Sequence, residues 1–157
     1  MSHAGVSENL ILLLYEELKL MNKAADTLEY SYRTCLAIGR KEEYSYDELD
    51  RFESLTSRFA RLSDLLIQKI FRLIDKLELE TEGTVRDRIN SAEKKGLIQS
   101  ADNFVKIRII RNQIAHEYIL EEIQGLFEKV LKHAPDLLDS VKRVKKYCDK
   151  YKVPDPF

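Results

Sequence analysis

An all-α bundle of about five helices is the fold this sequence predicts, on three observations. Apolar residues recur at steps of three and four over long stretches, the spacing that lines one side of a helix. Leucine and isoleucine are abundant, whereas the 157 residues include only five glycines, three prolines and no tryptophan. Capping residues stand where apolar stripes begin, and glycines stand where they end. A chain of this length suits a single domain with a real core. That domain is expected to occupy 1–157, with its core over about 8–151 and a frayed tail at 152–157 marked by Pro154 and Pro156.

The first helix is expected from about Ser7 to Ile38, with Leu10, Leu14, Leu18, Met21, Ala25, Leu28 and Tyr32 on its stripe and Gly39 as its stop. Its run from Leu10 to Leu14 is too short to cross a membrane and no basic segment precedes it, so it reads as a buried helix start rather than a signal sequence. Ser45, with Glu48 three residues later, is a capping-box start for the second helix. This helix carries Phe52, Leu55, Phe59, Leu62, Leu66, Ile70, Leu73 and Leu77 on one stripe. Leu65, Ile67, Phe71 and Ile74 widen the stripe until the stretch from Leu65 to Ile74 is apolar nearly all round, so the helix is either central or half-buried in an oligomer interface. Gly83 and Thr84 punctuate, Thr84 capping a short third helix that ends at Gly96, and Ser100 caps a fourth. After Tyr118 an amphipathic segment runs to about Lys152, and Pro135 is expected to kink or split it, because proline removes a backbone donor and clashes with the preceding turn.

The fourth helix holds the chemistry. Arg111, Asn112, Gln113, Ile114, Ala115 and His116, followed by Tyr118, bring a fixed cation, an amide, an imidazole and a phenol within two turns. At about 100° per residue, with Arg111 at zero, Asn112 falls near 100°, Ala115 near 40°, His116 near 140° and Tyr118 near −20°. These five share one half of the helix, while Ile107, Ile110 and Ile114 form the stripe that anchors it. Such a set suits metal-free attack of an RNA 2′-hydroxyl on the adjacent phosphorus. An imidazole with an unperturbed pKa of roughly 6.5 can take or give a proton near neutrality. Arginine offers a forked, permanently charged donor to phosphate oxygens as charge develops, and Asn112 can orient either group. One histidine does not easily serve as both base and acid, so a two-fold dimer that joins two copies of His116 in one cleft is expected.

The segment from Arg111 to Tyr118 resembles the Arg-x4-6-His signature of the HEPN superfamily, and more narrowly the Arg-x4-His-x-Tyr form of HepT-type toxins in HepT–MntA toxin–antitoxin modules. The likeness extends over most of the chain, from about Glu8 to Tyr151. It implies a dimeric helical bundle joined through the motif-bearing face, acting as a metal-independent endoribonuclease on tRNA or mRNA with no cofactor. By position, Arg111 and His116 match the catalytic pair, Asn112 the polar residue after the arginine, and Tyr118 the tyrosine that a minimal nucleotidyltransferase antitoxin modifies with AMP. Such a group would place negative charge beside Arg111 and obstruct the groove. The other readings are a non-catalytic partner that binds substrate for a nucleotidyltransferase, and a purely structural helical module in which Arg111 and His116 are surface groups.

A net charge of −1 and a pI near 6.3 do not advertise a nucleic-acid binder, so any RNA site must be local. Lys94, Lys95, Lys106, Arg108 and Arg111 form one basic neighbourhood, from which Lys106 and Arg108 are taken as RNA-binding residues. Lys142, Arg143, Lys145, Lys146, Lys150 and Lys152 form another, which a solvated helix face explains equally well. Cys35 and Cys148 have no metal-ligand spacing, and a reducing cytoplasm fits them. His133, close to Pro135, is read as a helix-end or surface residue, and Glu117, Glu121 and Glu122 as a helix start rather than a metal site.

Overall fold

The computed structural model describes the backbone over 3–80, 83–116 and 120–151, and its described residues are helices and short turns without a strand. Helix α1 is His3–Ile38, and it ends where Gly39 takes a φ of 73° and donates its N–H to the Cys35 carbonyl. Helix α2, Tyr46–Asp64, opens with the full capping box, in which Ser45 and Glu48 satisfy each other's backbone N–H. It runs without a break through a π-helical segment, Leu65–Ile70, into α3, Phe71–Leu77. These three pieces make one rod, so the described chain forms five helical bodies. Helices α4, Val85–Lys95, α5, Ala101–His116, and α6, Leu120–Cys148, complete it.

The rod is central. It packs against each of the other helices, with α1 and α6 lying along its α2 part and α4 against its later turns. Leu66, Ile67, Ile70, Phe71, Leu73 and Ile74 are all buried within the single chain, so the broad apolar stretch is taken up by the bundle itself. At the other end of the rod, Phe52 stacks on Phe127 of α6 at 4.6 Å, and Tyr44 closes over both.

The π segment widens the helix by one residue, so that Phe71 donates its N–H to Leu66, five residues back. Arg88 of α4 ties this turn down by donating to the Ile67 carbonyl at 3.2 Å and to Gln68. Thr84 and Asp87 form a second capping box for α4, which ends at Gly96 in the left-handed region. Glu93 accepts from the Ala101 N–H at 2.6 Å while Ser100 accepts from that of Asn103, so α5 starts from two anchors. Lys95 joins α4 to the end of the rod through Asp75 and Glu80. Burial works against its ammonium, but those carboxylates outweigh it and raise the lysine's pKa.

Two expectations change here. Pro135 does not split α6, which is one helix from Leu120 to Cys148. The proline ring lies on an exposed position, where water can satisfy the carbonyl that loses its donor. His133 is neither at a helix end nor on the surface: it is 7% exposed inside α6, with Nδ1 at 3.1 Å from Asp136.

Candidate functional site

Helix α5 presents the motif. Ile107 and Ile110 are buried and Ile114 is half-buried, so the anchoring stripe holds the helix with its polar half toward solvent. Arg111 reaches across to the last residue of α2. Its Nε donates to Asp64 Oδ1 at 2.7 Å and its Nη2 donates to Oδ2 at 2.8 Å, a two-pronged pair between side chains 32% and 42% exposed. The hydrogen bonds that Arg111 donates to Asp64 raise the already high pKa of the guanidinium, which therefore stays a fixed cation.

Around this pair lies a cleft of about 670 Å³ between the rod and α5, lined by Arg61, Ser63, Asp64, Leu65, Ile67, Gln68, Lys69, Arg108, Arg111 and Asn112. Four of these residues are cationic and one is acidic, and Asp64 is already engaged with Arg111. The cleft can therefore accept a multiply charged anion. Asn112 is exposed at its rim and His116 is exposed as the final residue of α5. His116 has no hydrogen bond or ion pair to a described residue. Tyr118 lies outside the described residues, as does the acidic residue Glu117; the side chains of Glu121 and Glu122 do too.

The basic neighbourhoods divide differently from their order in the sequence. Arg108 joins Arg111 at the cleft, whereas Lys106 is exposed and does not line it. Lys95 is held among carboxylates at the far end of the rod and Lys94 is exposed on α4. In the C-terminal set, Arg143 pairs with Asp139 at 2.7 Å, and Lys150 sits 3.5 Å from the centre of the Tyr147 ring. The residues missed by sequence reasoning are Arg61, Asp64 and Lys69. One signal for them was available: Asp64 is the only charge between Leu62 and Ile67, and a carboxylate in so apolar a run needs a partner. Neither the family models nor the curated proteins compared with this chain include a match.

Proposed function

We propose that this chain is a HepT-like toxin of a type VII-like toxin–antitoxin module, a metal-independent endoribonuclease that cleaves tRNA or mRNA in the cytoplasm. The observation that carries the reading is the placement of Arg111 and Asn112 in a cationic cleft, with an exposed His116 slightly more than one turn further along the same helix. In the proposed reaction, Arg111 and its neighbours hold the scissile phosphate. One His116 takes the proton from the 2′-hydroxyl, and the imidazole of the second protomer returns a proton to the leaving 5′-oxygen, giving a cyclic phosphate.

A dimer through the motif-bearing face supplies that second imidazole. Ile109 favours this face as an interface: it is 53% exposed, and at about 100° per residue it points within about 20° of His116. A cognate nucleotidyltransferase would silence the dimer by transferring AMP to Tyr118, adding charge and bulk beside the catalytic pair.

The test is cleavage of total tRNA and a model mRNA in excess chelator by the unmodified protein, beside Arg111→Ala and His116→Ala variants of verified helical content. Loss of about 10²- to 10⁴-fold in the His116 variant is expected from removal of a general acid or base. A second reading, a non-catalytic partner of a nucleotidyltransferase, is favoured by the engagement of Arg111 with Asp64. Inertness of an unmodified parent together with AMP transfer that requires Tyr118 would select it.

A further inference from the structure

We propose that Arg61, Lys69 and Arg108 form a track for the backbone phosphates of single-stranded RNA flanking the bond to be cut. This deepens the nuclease reading and rests on it. The three cations line the cleft that contains Arg111, two on the rod and one on α5. None of them is in an ion pair with a described residue, unlike Arg143 and Lys95 at the far end of the molecule. In a chain of net charge −1, positive charge that is not already neutralised is therefore gathered on both walls of one cleft.

The spacing fits an extended polyanion better than one small anion. Arg61 and Lys69 are eight residues apart on the rod, roughly 12 Å along its axis at 1.5 Å per residue. Arg108 lies three residues before Arg111, on the facing wall. Leu65, half-buried, gives the cleft an apolar surface against which a sugar or base can rest. A single strand is required because the 2′-oxygen must swing in line with the leaving 5′-oxygen, a geometry that stacked A-form pairing prevents.

The experiment measures binding of a fluorescein-labelled single-stranded RNA by anisotropy across a salt series. It uses the full-length His116→Ala protein, which leaves the RNA uncut, and adds Arg61→Gln, Lys69→Gln or Arg108→Gln, with Lys145→Gln and Lys146→Gln as distant controls. Each cleft substitution is expected to weaken binding at least about threefold and to lower the slope of log affinity against log salt by about 0.7, the value for one phosphate contact to a single strand. The controls should change neither. Binding equal to that of the His116→Ala parent in all three cleft variants, loss confined to the Lys145 and Lys146 variants, or no RNA binding at all would overturn the track. Cleavage by the wild-type chain is read separately. Cutting with unaffected cleft variants sinks the track alone, whereas binding through the three cations without cutting sinks the nuclease reading alone.

Discussion

Arg111 enters the site already paired, and Asp64 therefore has two opposing effects. It orients the guanidinium through two parallel hydrogen bonds, and it is the one carboxylate among the described residues that line the cleft, set where a phosphate would approach. Asp64→Asn is expected to tighten RNA binding severalfold, because the cleft loses its negative charge, while the single-turnover cleavage rate falls because Arg111 is less firmly aimed. The effect on stability should be within about 1 kcal/mol, as for other partly exposed pairs. Unchanged or weaker RNA affinity would show that the carboxylate does not face the bound strand. The thiols differ, since burial pushes Cys35 up to about 11 and Cys148 up to about 12. Both should resist a thiol reagent at neutral pH in the folded protein and react once it unfolds.

At the scale of elements, the ends of the helices are the parts most open to test. The rod terminates through Leu79, which has a φ of 58° and is 91% exposed. A β-carbon in this conformation costs about 1–2 kcal/mol, so Leu79→Gly should stabilise the protein by up to about that amount, read as a higher urea midpoint. A lower midpoint would mean that the leucine side chain contributes more than its backbone costs. The two capping boxes make the stability dependent on acid. Lys41 and the Ser45 backbone hold the Glu48 carboxyl low, and the Thr84 backbone does the same for Asp87. A depressed carboxylate stabilises the fold fully above its unfolded pKa and loses that contribution as pH falls through the folded value. Urea midpoints should therefore drop between about pH 5 and about pH 3, less steeply in a Glu48→Gln, Asp87→Asn double variant. Identical slopes would show that other carboxylates govern acid unfolding.

For the whole molecule, one core joins all five helical bodies, and the aromatic contact between the start of α2 and α6 closes it. Phe52 is fully buried against Phe127 and Tyr44, so Phe52→Ala should cost about 3–5 kcal/mol in equilibrium unfolding. A cost below about 1 kcal/mol would mean that the two ends of the bundle stabilise independently. Among the described residues no helix is long and apolar enough to cross a membrane. Leu66, Ile67, Ile70, Phe71, Leu73 and Ile74 are buried inside one chain, so the apolar width of the rod is covered by the bundle itself.

Local chemistry determined much of this in the sequence alone. The stripe of α1 and its stop at Gly39, the caps at Ser45, Thr84 and Ser100, and the separation of anchoring isoleucines from polar motif residues on α5 follow from helix geometry and short-range hydrogen bonding. The path through Pro135 and the π turn at Leu65–Ile70 were not legible. Each depends on whether neighbouring helices and water satisfy backbone groups, which no local pattern records. The composition of the cleft was likewise decided by tertiary structure. Asp64 and Arg111 are 47 residues apart, and the packing of α5 on the rod brings them together while leaving Lys94 and Lys95 elsewhere. Charges adjacent in sequence can be dispersed by the helices that carry them, and charges distant in sequence can be gathered, because side-chain position in a bundle is set by helix phase and packing.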